Sequence, residues 1–112
     1  MRYVSKDFLS QSPDESGSII CTIRTIQVKD MSQYTVNRGG KIEGSIQITD
    51  CSRMIELDFY AEGQRGFEKR LAKLDLFIEK LNAMRHQYTH MWENHQRDIA
   101  HYVSINPEKK NA

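Results

Sequence analysis

Two stretches of the chain alternate strictly between apolar and polar positions. In residues 41–50, Ile42, Ile46 and Ile48 alternate with Lys41, Glu43, Ser45, Gln47 and Thr49. In residues 53–60, Ile55, Leu57 and Phe59 alternate with Met54, Glu56, Asp58 and Tyr60. A period of two is the signature of a strand with one face covered. Folding the two runs about the Cys51–Ser52 bond pairs Ile48 with Ile55 and Ile46 with Leu57. It also sets Phe59 opposite Gly44, where the ring can cover bare backbone. The acids Glu43, Glu56 and Asp58 then share the other face. Slipping the register by one residue would turn every isoleucine to the wrong side, so the alternation fixes the pairing.

Upstream, residues 18–29 (SIICTIRTIQVK) are rich in β-branched side chains and read as a further strand. Its apolar phase changes partway: Ile19, Cys21 and Ile23 share one face, Ile26 and Val28 the other. A bulge near Arg24–Thr25 would reconcile the two phases. Residues 30–40 read as a connection, with extra pairing left open around Tyr34 to Val36, and Gly39-Gly40 mark a chain reversal. Residues 1–16 read as an N-terminal arm in which Tyr3, Val4, Phe8 and Leu9 are available to dock.

From Phe67 to about Ser104 there is neither glycine nor proline, and Pro107 closes the segment. The apolar spacing changes to three-four. Leu71, Leu74, Ile78, Leu81, Arg85, Tyr88, Trp92, His95, Ile99 and Tyr102 occupy successive a and d positions of a heptad pattern, with Arg85 and His95 as its polar members. Phe77, Met84 and Met91 flank this seam and widen it. The expected architecture is therefore α+β: a small antiparallel sheet of three or four strands containing the 41–61 hairpin, then one long amphipathic C-terminal helix. The parts are an arm at 1–16, a sheet at 18–61, a helix at 67–104 and a tail at 105–112, forming one domain.

The two parts differ in length. A helix over 67–104 measures about 57 Å at 1.5 Å per residue, whereas an eight-residue strand measures about 27 Å. A small sheet covers roughly half of such a helix, leaving Met84, Tyr88, Met91, Trp92, His95, Ile99 and Tyr102 without shelter. An apolar stripe of that size marks an interface. Either the helix breaks near Asn82 to His86 and folds back, or a second chain covers it; the plainer alternative is a bent helix over a larger sheet that also uses residues 1–16 and 30–36. With no glycine or proline to favour a break, the expectation is a homodimer that uses those seven residues.

Composition narrows the chemistry. The chain has 112 residues, 16 Lys and Arg against 15 Asp and Glu, and a net charge of +1. Attraction to DNA or an anionic membrane then depends on local patches, not on the total. No apolar run is long enough to span a bilayer, and residues 1–16 contain no signal-like apolar core, so the expected compartment is the cytoplasm. Two cysteines, Cys21 and Cys51, without a C-x-x-C pair read as free thiols and not as a zinc site. Neither a metal nor any other cofactor is expected.

Residues 65–73 hold four cations, Arg65, Lys69, Arg70 and Lys73, and one acid, Glu68. Cations in a first helical turn oppose the macrodipole. They make sense beside a phosphate or carboxylate, since a helix N-terminus offers free N–H groups to an anion. The plainer reading is a strand-to-helix junction whose cations are solvated or paired with Glu56, Asp58 or Glu62. His86 and His90 lie one turn apart with Glu93 beyond them, but no acid or thiol is tied to the pair, and a solvated helix face accounts for them. No nucleophile elbow and no paired carboxylates stand out, so no catalytic residue is assigned and no enzyme is expected. A single Arg38-Gly39-Gly40-Lys41 with few surface aromatics makes a poor stacking platform for nucleic acid.

By elimination the expected role is binding. The leading expectation is a non-enzymatic, dimeric protein-binding module, a small regulator or stoichiometric inhibitor of the style phages and mobile elements carry against host defences. Its partners would be a second copy of itself and an unidentified protein. One alternative is a nucleic-acid-binding regulator that uses Arg65, Lys69, Arg70 and Lys73. Another is a sponge for a phosphorylated small molecule at the Gly63–Gly66 junction.

Overall fold

The structure is a computed structural model that describes residues 1–9, 17–50, 53–106 and 108. The expected turn at Cys51–Ser52, residues 10–16 of the expected arm, and Pro107 and residues 109–112 of the tail lie outside the described residues. The fold is α+β, an antiparallel sheet followed by one long helix. The strands are β1 (Arg2–Phe8), β2 (Ser18–Arg24), β3 (Lys41–Asp50), β4 (Arg53–Asp58) and the two-residue β5 (Ala61–Glu62). Helix α1 is Gln33–Asn37 and helix α2 is Gly63–Ile105. The chain divides into two compact units, Met1–Leu74 and Asp75–Ala112. The first holds the sheet, α1 and the opening turns of α2; the second is helical from Asp75 to Ile105.

Sheet order is β1-β2-β3-β4, with β5 pairing the start of β3. The hairpin has the register the alternation predicts: Ile46 faces Leu57 and Ile48 faces Ile55. Phe59 N–H donates to Gly44 O at 2.8 Å. A Cβ built at Gly44 would lie 3.3 Å from the Phe59 Cβ, so the ring-bearing residue does lie against bare backbone. Strand β2 continues the apolar face, pairing Ile19 with Ile48 and Cys21 with Ile46. The opposite face carries Arg24, Glu43, Glu56 and Asp58, and Arg24 Nη2 lies 2.7 Å from Glu43 Oε2.

Three local expectations are revised. Residues 2–8, expected as part of an arm, form β1 and pair along their whole length with β2. Their sequence has no apolar period, because an edge strand is fixed by its backbone ladder more than by burial. Thr25 N–H donates to Met1 O at 2.9 Å and extends that ladder. Strand β2 stops at Arg24 instead of bulging through to Val28, so the phase change in the sequence is the strand's end. Val28–Asp30 form a 3-10 turn. The stretch around Tyr34 to Val36 is helix α1, not extra pairing. Ser32 caps it, its Oγ accepting from Thr35 N–H at 3.2 Å.

The long helix begins at Gly63, four residues before the expected Phe67. No break occurs at Asn82–His86, which are helical throughout. The β5-to-α2 corner depends on glycine. Gly39, Gly40 and Gly63 all have positive φ, and Gly63 N–H donates to Gly40 O at 2.9 Å. At Gly63, φ is +74° and a Cβ would lie 2.7 Å from Arg38 O, closer than real Cβ atoms come.

Burial is sparse. Ala61, at 4% exposure, is the single buried apolar side chain among the described residues. The isoleucines of β2 and β3 on the apolar face are at best half-buried, and no side chain of α2 is buried. A domain of about this size ordinarily buries some two thirds of its unfolded surface.

Gly63→Ala combines a left-handed backbone with a clash against a carbonyl, and is expected to cost roughly 1–3 kcal/mol. Gly66→Ala, whose Cβ would find its nearest neighbours at an ordinary 3.9 Å, is expected to be neutral or stabilising by up to about 1 kcal/mol. Urea denaturation of the two variants checks the contrast.

Candidate functional site

The four cations of the β5-to-α2 junction do not converge on a common point. Arg70 Nε donates to Tyr60 O at 2.8 Å and Lys73 Nζ donates to Asp58 O at 2.6 Å. Lys73 Nζ also stands 4.7 Å from the centre of the Phe59 ring. These two side chains clip the opening turns of α2 to the chain around the end of β4. That carbonyl role is invisible in the sequence, where only their charge can be read. Arg65 and Lys69 remain exposed.

The acids around this corner serve the same local structure. Arg38 Nε lies 3.5 Å from Glu62 Oε1, an ion pair without hydrogen-bond geometry, and the Arg38 guanidinium stacks 4.2 Å from the Tyr34 ring centre. Tyr60 O–H donates to Glu62 Oε2 at 3.3 Å. Partial desolvation, followed by the negative charge of Glu62, the hydrogen bond to Glu62 and the charge of Glu43, raises the Tyr60 phenol above its ordinary value of 10.0.

The polar sheet face is more divided than the hairpin alone suggests. Arg2, Lys6 and Arg24 of β1 and β2 lie on the same face as Glu43, Glu56 and Asp58 of β3 and β4. The face is therefore basic on one side and acidic on the other. Reading the basic half required β1, whose sequence carries no periodic signal.

In the second unit the predicted interface residues share one property, exposure. Tyr88 is 75% exposed and Trp92 61%, and Met84, Met91, His95, Ile99 and Tyr102 are exposed too. Leu76, Ile78, Leu81 and Ile105 extend the run of exposed apolar side chains. The Trp92 and His95 rings lie 6.2 Å apart, neighbours along the seam as their three-residue spacing requires. His86 and His90 stack with ring centres 6.5 Å apart, and His90 Nε2 lies 3.2 Å from Asn94 Nδ2. Among the described residues no three His, Cys, Asp or Glu side chains gather as a metal site would need. Cys21, half-buried, is a free thiol. No helix among the described residues is long and apolar enough to cross a membrane.

A raised Tyr60 pKa means that the folded state holds the phenolic proton more tightly than the unfolded chain does. The linked stability is intact below pH 10.0 and is lost as pH rises through the folded value. Chemical denaturation across that alkaline range, wild type against Tyr60→Phe, is expected to show a steeper alkaline loss in the wild type. Comparison of the chain with protein-family models, with curated proteins and with solved structures finds no match.

Proposed function

We propose that the chain is a non-enzymatic, dimeric protein-binding module, acting as a small regulator or stoichiometric inhibitor, and that its self-association runs through the seam of Ile78, Leu81, Tyr88, Trp92, His95, Ile99 and Tyr102 with Met84 and Met91 alongside. The observation that carries this reading is the exposed apolar stripe of the second unit, interrupted only by Arg85 and His95. It runs over roughly 46 Å of helix from Asp75 to Ile105 with no side chain buried.

The energetics favour a partner. Covering apolar surface is worth about 25 cal/mol per Å², and exposed apolar patches of more than a few hundred Å² are rare on monomeric proteins. The heptad order suits a second helix of the same kind. Aromatic residues at Tyr88, Trp92 and Tyr102 give large rigid contacts, and the adaptable side chains of Met84 and Met91 fill the space between them. Polar Arg85 and His95 within the seam favour one register over its slips, since each must find a partner across the interface. A two-fold pair also doubles whatever each copy's sheet face presents, including its divided pattern of Arg2, Lys6 and Arg24 against Glu43, Glu56 and Asp58. Such a face suits a protein surface of complementary pattern better than a uniformly anionic polymer.

Light scattering is expected to give about twice the 13.1 kDa chain mass. Replacing Met91 and Trp92 together by Asp is expected to halve it while leaving the β-sheet circular dichroism in place. Trp92→Ala should cost about 3–5 kcal/mol of dimer stability when the ring is enclosed by a partner, and far less on a solitary chain. A single-chain mass with Trp92 fluorescing as a solvent-exposed indole would overturn the reading.

A further inference from the structure

Within the first unit, the opening turns of α2 do not close onto the sheet. They leave a groove of about 330 Å³, at the small end of the range for ligand pockets. Ile23, Ile46 and Phe59 line it from the sheet side, and Phe67, Leu71 and Leu74 from the helix. Its lining includes one charged residue, Arg70, and no acid. Ile42, Ala61 and Phe67 also line a neighbouring hollow, so the groove has room to continue past Phe67.

Arg70 is held in place without being neutralised. Its Nε donates to Tyr60 O at 2.8 Å, and a carbonyl dipole fixes the guanidinium while leaving its full charge and its two Nη amines for another acceptor. Lys73, over the Phe59 ring and bonded to Asp58 O, adds a second positive charge close by. A neutral hydrocarbon would fill the apolar walls but leave the exposed Arg70 guanidinium without a partner. A cationic amphiphile would meet like charge. A nucleotide or sugar would face apolar walls that offer few hydrogen bonds. A carboxylate matches the planar fork of a guanidinium, and an alkyl chain matches the isoleucine and leucine walls.

We propose that this groove binds an amphiphilic carboxylate of medium chain length, a fatty acid, with the tail among Ile23, Ile46, Phe59 and Leu71 and the head group at Arg70. Leu71 and Leu74 open the heptad pattern, but the site uses none of the residues from Ile78 to Tyr102 through which the proposed association runs, so the two readings are tested separately.

Calorimetry and methyl NMR on the full-length chain test it, with laurate below its micelle threshold as the probe and dodecanol and dodecyltrimethylammonium as head-group controls. The expected result is one laurate per chain, saturable, with shifts at Ile23, Ile46 and Leu71. Laurate should be preferred over the ammonium compound by roughly tenfold or more. Arg70→Gln is expected to remove that preference, Arg70→Lys to keep part of it, and Ile46→Trp to fill the groove and abolish uptake. Circular dichroism verifies that each variant is folded. Absent or unsaturable binding, indifference to the head group, or shifts confined to Tyr88–Tyr102 would overturn the proposal. So would finding that the groove methyls respond to chain dilution and not to laurate, which would make a second copy the occupant.

Discussion

The structure is governed by a shortage of interior. Ala61 is the one buried apolar side chain among the described residues. Ile19 and Ile23 of β2 with Ile42, Ile46 and Ile48 of β3 form one apolar face, which the opening turns of α2 overlie without closing upon it. Burial is the dominant favourable term in folding, and a chain that leaves its apolar surface in water folds with little margin. Both surfaces assigned a function above, the helical seam and the groove, are places where that deficit is concentrated.

Polar ties hold what apolar packing does not. Arg70 and Lys73 attach α2 to the carbonyls of Tyr60 and Asp58. Gly63 N–H joins the helix start to Gly40 O, and Met1 and Thr25 extend the β1–β2 ladder. Most of these contacts are exposed, and each contributes only about 1 kcal/mol against the competition of water. They specify geometry better than they supply stability. The charged rim of the groove follows from this arrangement, because the exposed cations that fasten the helix keep their charge beside apolar walls.

The same economy shapes the proposed association. An interface that completes a missing core resembles a domain interior cut in half, and association of that kind is strong and bound up with folding. The polar sheet face is different in kind. Its basic and acidic halves meet at the exposed Arg24–Glu43 pair and are otherwise exposed in the single chain, and they can contribute more to the choice and orientation of a partner than to affinity.

The hairpin was readable because its alternation admits one register: Ile46–Leu57, Ile48–Ile55 and Phe59 against Gly44 all follow from a period of two with one covered face. The helix was readable for the equivalent reason, a three-four spacing uninterrupted by glycine or proline. Both signals are local and repeat along the chain. β1 was not readable, because an edge strand is recruited by its neighbour's free N–H and C=O groups and needs no apolar period of its own. The end of β2 at Arg24 and the helical turn at Gln33–Asn37 were misread in the sequence, where a phase shift and a few β-branched residues look like more strand. The sequence by itself determined which residues form the hairpin and the long helix. Only the tertiary structure decided what the charged residues do, turning Arg70 and Lys73 from an apparent anion-binding cluster into clasps on backbone carbonyls. A side chain's charge is written in the sequence, but its partner is chosen by where the fold brings a distant carbonyl.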